Sequence, residues 1–166
     1  MTIPRFDDSM IPRLRIIIAA CFLFSCGTDT VFNKFQPVKD RIWDKQDEYY
    51  FTFEIKETSI PYDISVLLRN SDIYPYQNIW MLIDQSDKAG TTIKDTVEHI
   101  LADDFGKWTG NGITLFQSRV PIKNQYIFPD TGKYTISVRH GMRDDKLKGI
   151  EDIGLFVEKS PPLFSP

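Results

Sequence analysis

Two cysteines, two histidines, three tryptophans and several paired carboxylates are the residues whose chemistry could reach beyond packing. His99 and His140 stand far apart, and neither has a second ligand at metal-binding spacing, so a strand-end or core-edge histidine is the expected role. The pairs Asp103-Asp104, Asp144-Asp145 and Glu151-Asp152 fall in polar stretches. Calcium needs about six to eight oxygens at close range, and no spacing here resembles a calcium loop. No serine sits in a nucleophile elbow, and no glycine loop that could cradle phosphate follows a strand. Two carboxylates could be paired on paper for glycoside hydrolysis, but any acidic β-sandwich offers such pairs. The expectation is a protein that is not an enzyme, with no catalytic residue, no metal ligand, no cofactor and no small-molecule substrate.

Cys26 is the residue with a legible reaction. Arg13 and Arg15 precede the uncharged run Ile16 to Phe24, and the run ends in Leu23-Phe24-Ser25-Cys26. A basic flank, an apolar stretch of about ten residues and a small residue at the cut describe a secretory signal. The run is too short to cross a bilayer, which takes roughly 20 residues. Leu23 three places before a cysteine, with Ser25 directly before it, resembles the lipobox. That resemblance implies cleavage between Ser25 and Cys26, diacylation of the Cys26 thiol and acylation of the new amino terminus. Buried acyl methylenes, at about 0.8 kcal/mol each, then hold the chain on a membrane. Residues 1–25 are read as the signal peptide, with Met10 a more ordinary start than Met1, and residues 26–30 as the lipidated cysteine with a short tether. Gly27 is not the aspartate that retains lipoproteins at the inner membrane, and Thr28-Asp29-Thr30 lacks a dense acidic export run. The expected location is therefore the periplasmic face of the outer membrane.

Removing 1–25 leaves about 140 residues, the size of one domain with a fair core. Arg5, Arg13, Arg15, Asp7 and Asp8 leave with the signal, so the net charge moves from −3 to −4. A mildly acidic domain without a basic run argues against nucleic acid as a partner. Beyond Cys26 there is no cysteine, so packing alone must stabilise the fold.

The elements that must position these residues read as strand, turn, strand. Alternation or β-branching marks Tyr49–Ile55, Tyr62–Arg69, Tyr74–Ile83, Ile113–Val120, Gln125–Phe128, Tyr134–Arg139 and Ile153–Val157, and favours strand over helix in 91–101. Asp103 to Gly112 is glycine-rich and irregular, and Met142 to Gly149 reads as a charged loop. No sustained 3.6 period is present. About eight or nine short strands predict an all-β fold, a single antiparallel β-sandwich of jelly-roll type over residues 31–166.

Four stretches then stand in order behind the lipobox: Tyr74-Pro75-Tyr76-Gln77-Asn78-Ile79-Trp80, Asp95 to Ala102, Gly106-Lys107-Trp108-Thr109-Gly110, and Met142 to Leu155. Together they resemble the gliding motility lipoprotein GldH family, from about Cys26 to Val157. The resemblance implies a non-catalytic envelope lipoprotein that supports gliding, or an assembly associated with type IX secretion, through contacts with envelope proteins. A different reading takes Trp43, Trp80 and Trp108 as a carbohydrate-binding face, provided Trp80 and Trp108 are exposed and coplanar in one groove. On the contact reading, the candidate partner-binding residues are Trp108, flanked by Gly106 and Gly110, and Arg143 and Asp144 in the charged loop.

Replacing Cys26 with serine removes the acyl acceptor. The C26S protein is expected to be unprocessed or released, and fatty-acid labelling of it in the outer-membrane fraction would refute the anchor.

Overall fold

The computed structural model describes residues 30–161. The signal peptide, Cys26 and the tether up to Asp29 lie outside the described residues, as does the chain after Pro161. Ten strands follow in order: β1 (Thr30–Pro37), β2 (Ile42–Asp44), β3 (Tyr49–Ile55), β4 (Tyr62–Ser71), β5 (Asn78–Ser86), β6 (Thr92–Ile100), β7 (Leu115–Tyr126), β8 (Gly132–His140), β9 (Lys146–Lys148) and β10 (Ile150–Lys159). A single 3-10 turn, Lys39–Arg41, separates the first two.

Side-chain alternation decides which face each strand buries. Tyr49, Phe51, Phe53 and Ile55 are buried, while Tyr50, Thr52 and Glu54 between them are exposed. On β8 the buried row is Tyr134, Ile136, Val138 and His140, and on β5 it is Ile79, Met81, Ile83 and Gln85. The order β3-β8-β5-β6 makes one four-stranded sheet and β1-β10-β4-β7 the other, with β2-β9 a separate ribbon. Every pairing is antiparallel. The partners are nested, β5 with β6, β4 with β7, β3 with β8, β2 with β9 and β1 with β10. One long hairpin is thus rolled up until β10 meets β4 and β8 meets β5, which is the jelly-roll path. The expected all-β sandwich is the observed one.

Individual strands differ from the sequence reading for local reasons. Tyr74 and Tyr76 fall before β5, because Pro75 between them supplies no N–H to a ladder. The two strands expected over 113–128 are one, β7, which tolerates Pro121 because it is a sheet edge. The charged loop 142–149 contains β9, a three-residue strand too short to show a period, whose Leu147 is fully buried. Gly149, at φ +83, then turns the chain into β10. A Cβ there would stand 2.6 Å from the backbone nitrogen of Tyr74, so no other residue fits.

The winding gives the sandwich two poles. Thr30, Ile55, Tyr62, Ser86, Thr92, Tyr126, Gly132 and Lys159 end their strands at the near pole, where the described chain begins. Pro37, Tyr49, Ser71, Asn78, Ile100, Leu115, His140 and Ile150 end theirs at the far pole, together with the β2-β9 ribbon. A ten-residue strand such as β4 spans about 33 Å between them.

His140 is 1% exposed and set edge-on to the fully buried Trp43 at 5.3 Å, and neither ring nitrogen makes a well-formed hydrogen bond, although backbone groups of Trp43 and Asp145 lie near them. Burial first, and the Lys45 charge second, push its pKa below 6.5; the backbone at Asp145 and Trp43 pulls weakly the other way. The folded state therefore binds this proton less readily than the unfolded chain. Its contribution to stability is complete above pH 6.5 and declines as pH falls from there toward the lowered value. His99, half-buried, is shifted in the same direction by burial. Melting curves between pH 7.5 and 5.5 should show a falling midpoint, and His140→Phe should flatten that slope. An unchanged slope in H140F would remove His140 as its source.

Candidate functional site

The far pole gathers the residues expected to make contacts. Residues 101–114, between β6 and β7, fold back on themselves through an isolated bridge between Ala102 and Trp108. The Asp103 carboxylate accepts the backbone N–H of Phe105 at 3.0 Å and that of Lys107 at 2.9 Å, while Gly106 N–H closes the turn onto Asp103 C=O at 2.9 Å. This tight turn holds Phe105 out at 97% exposure. The second tip, Ile113, is 92% exposed. It follows Gly112, where a Cβ would overlap the Leu115 carbonyl oxygen at 1.8 Å.

Trp108 is half-buried rather than offered to solvent. Its ring stacks on Phe116 at 5.7 Å and meets Tyr74 at 6.4 Å. Tyr74 is buried and sends its hydroxyl to Asn78 C=O at 2.9 Å. It also stands edge-on to Tyr76 at 5.7 Å, and the Tyr76 hydroxyl donates to the Asp144 carboxylate at 2.5 Å. That hydrogen bond, ahead of burial and of the Asp144 charge, raises the Tyr76 pKa and keeps the phenol a donor. A run of rings, Phe116, Trp108, Tyr74 and Tyr76, thus connects the 101–114 loop to the charged segment after β8.

Tyr76 and Asp144 line one side of a cleft of about 420 Å³, with Asn78, Trp80, Met142 and Arg143 around them. The segment that carries Arg143 and Asp144 is held by three contacts. Lys45 donates to Arg143 C=O at 3.3 Å and pairs with Asp145 at 3.7 Å, and the Met142 sulfur accepts Trp80 N–H at 3.3 Å. Arg143 and Asp144 are both exposed. The structure brings Trp108, Arg143 and Asp144 to one pole, with the two charged residues in the cleft and Trp108 beneath the neighbouring loop. Sequence reasoning missed Tyr76, taken as part of a strand, and Phe105, whose only signal was an apolar residue between Asp104 and Gly106.

The aromatic face imagined for sugar binding is not assembled. Trp43 is fully buried, Trp80 is 39% exposed in the cleft, and Trp108 lies on Phe116 outside it. Among the described residues no ring contact joins Trp80 to Trp108. The described residues also hold no group of three or more His, Cys, Asp or Glu placed to bind a metal ion.

Fold and site together define a jelly-roll domain with two apolar loop tips and, at the same pole, an open cleft of aromatic, apolar and charged side chains. The model of the GldH lipoprotein family matches residues 30–157, and the chain belongs to that family. It is 28% identical over 152 residues to the gliding motility lipoprotein GldH of Flavobacterium johnsoniae, covering 87% of this chain and 94% of that protein. A homologue of GldH from Christiangramia forsetii is 28% identical over 154 residues, with the same coverage. Among solved structures, the VP2 subviral particle of infectious bursal disease virus superposes at a TM-score of only 0.36, with 14% identity, over 80% of this chain and 31% of that one. That likeness carries no argument.

The two apolar groups at this pole should separate in a melt. Trp108→Ala removes a half-buried ring with two aromatic neighbours and should cost about 2 kcal/mol, lowering the midpoint by several degrees. Phe105→Ala, at a fully exposed tip, should leave it within about a degree. Equal shifts would contradict this assignment of the two residues.

Proposed function

We propose that this chain is a gliding motility lipoprotein, cleaved before Cys26 and lipidated on that thiol. It resides on the periplasmic face of the outer membrane and acts by contact rather than catalysis. Its far pole engages an envelope protein of the gliding or type IX secretion-associated assembly. Membership of the GldH lipoprotein family, and the names its relatives carry, support the lipoprotein and motility parts of this reading.

One observation carries the contact part. The chain enters the sandwich at Thr30 on the near pole, whereas Phe105, Ile113 and the Tyr76–Asp144 cleft occupy the far pole. Three residues separate Cys26 from Thr30, and the four Cα steps between them reach at most about 14 Å. The anchor therefore engages the near end, and the far end is left for a partner. Large apolar side chains at full exposure on backbone-fixed tips lose little freedom on docking, as interface anchors require. Arg143 and Asp144, at the same pole, supply polar groups of the kind found at an interface rim.

Phe105→Asp with Ile113→Asp should abolish gliding, or secretion where the source organism does not glide, while the melting temperature and envelope fractionation stay at parental values. Full function in that double variant would exclude the tips as contacts. Digestion of the chain by protease added to intact cells would exclude the periplasmic placement.

A further inference from the structure

The sandwich has four edge strands, and three of them are interrupted or partly covered. β1 carries a register shift near its start and ends at Pro37, and its Gln36 side chain covers β3 by donating to Tyr50 C=O at 2.7 Å. β7 contains Pro121, shifts register twice against β4, and is covered near Gln117 by Asn111, with bonds of 2.9 Å in both directions. β6 pairs with β5 without interruption from Thr92 to Ile100, and among the described residues no strand pairs along its other side. Such an edge is a template for another strand.

The backbone shows which residues face out. Leu101 N–H bonds to Gln77 C=O on the β5 side, whereas Thr96 N–H is left to the Asp95 side chain at 2.8 Å. Alternation then turns the N–H and C=O of Thr92, Lys94, Thr96, Glu98 and Ile100 toward the open edge. The side chains of these residues lie on the outer face of the sheet, beside Trp80, Leu82 and Asp84.

A line of alternating charge crosses that face and stops at this edge. Glu48 pairs with Arg139 at 3.7 Å, Arg139 with Asp84 at 3.8 Å, and Asp84 with Lys94 at 3.7 Å. Lys94 ends the line with 74% of its side chain exposed. The next strand would have to present an acid there. β6 supplies one itself, since a copy of β6 laid antiparallel about Thr96 places Glu98 opposite Lys94, and Lys94 opposite Glu98. Thr96 then faces its own counterpart.

We propose that β6 is a homotypic interface, pairing antiparallel with β6 of a second copy to make one continuous eight-stranded sheet. The Asp95 carboxylate gives up Thr96 N–H to the new ladder and keeps Lys123, 3.2 Å away on β7. The two Thr30 residues then lie at opposite ends of the joined sheet, so both tethers reach one bilayer when the strands lie along it. The far poles stay open, and the inference stands apart from the proposed contact at that pole.

The test uses the full-length chain in envelope membranes, with T96C as reporter and a short bis-maleimide as cross-linker. T96C should cross-link to twice the chain mass, because the two Cβ atoms stand about 5 Å apart. T135C, on the outer face of the interior strand β8, should not. Lys94→Glu alone and Glu98→Lys alone each set like charges opposite twice, and should cut the T96C product at least about tenfold. Co-expressing the two variants restores opposite charges at both positions and should return the product to within about twofold of the parent, which misfolded chains could not do. Thr96→Pro removes only an edge-facing N–H. With the reporter moved to Lys94 and Glu98 on separate co-expressed chains, it should abolish the cross-link. Absence of the T96C product, a product of another mass, equal cross-linking at T135C, or failure of the co-expressed pair to restore it would each overturn the proposal.

Discussion

Phe128 is enclosed by Tyr134 at 4.5 Å, Tyr126 at 4.8 Å, Tyr62 at 5.4 Å and Phe53 at 6.0 Å, and this cluster is where the two sheets are fastened at the near pole. Phe53 and Tyr134 belong to one sheet, Tyr62 and Tyr126 to the other. A rolled hairpin brings its two faces together only after long loops have closed, and the chain beyond Cys26 has no disulfide to reduce that entropy. The compensating free energy must come from packing. Burying a phenylalanine contributes roughly 1.5–3 kcal/mol and each favourable ring pair about 0.5–1.5 more. One residue between β7 and β8 therefore ties both faces at the place where the chain enters.

Buried tyrosines carry that rigidity outward. Tyr62 sends its hydroxyl to Glu57 C=O at 2.7 Å and Tyr134 to Asp130 C=O at 2.8 Å, as Tyr74 does to Asn78. Each ring sits in the core while its hydroxyl satisfies a backbone carbonyl of a nearby turn, and burial raises all three pKa values so the phenols remain donors. Loops fixed this way have already lost the freedom that a docking loop would otherwise lose on binding. A different interaction covers the outward aromatics of the β1-β10-β4-β7 sheet. Phe35 and Phe156 are not free patches, because Arg69 and Arg119 lie over them at 3.8 and 4.3 Å.

Strands that present one face to the core were legible because burial repeats every second residue. β3 and β8 show this cleanly, and the parity of Ile136 and Val138 placed His140 correctly at the core edge. β1 was not legible, since as an edge strand it buries little and intersperses Asn33, Lys34 and Gln36. β2 and β9 are three residues each, and only their mutual pairing makes them strands. The far pole was half legible. Residue type flagged Trp108, Arg143 and Asp144, but the ring series joining them runs through Tyr74 and Tyr76, which meet Trp108 only once the chain has rolled up. Exposure at Phe105 is likewise a property of the folded turn, set by the Asp103 carboxylate.

The open edge and the exposed pole also differ in the affinity each needs. A strand pair held by a few main-chain bonds and two exposed ion pairs is weak in solution, because exposed pairs contribute only about 0–1 kcal/mol each. Confinement changes the balance. Chains tethered to one membrane by a linker of a few residues meet at effective concentrations of the order of millimolar, so a contact too weak for free chains becomes occupied. The β6 edge suits that regime, since its ladder is uninterrupted and its outward charges, Lys94 and Glu98, are complementary to their own reverse. The contact proposed at the pole would instead have to select one partner from many, which calls for rigid apolar anchors with a fixed polar rim. Phe105 and Ile113, at the same pole as the Tyr76–Asp144 cleft, have that character, and β6, which offers mainly backbone, does not. On the two proposals together, the lipid would supply proximity, the edge self-association and the pole specificity.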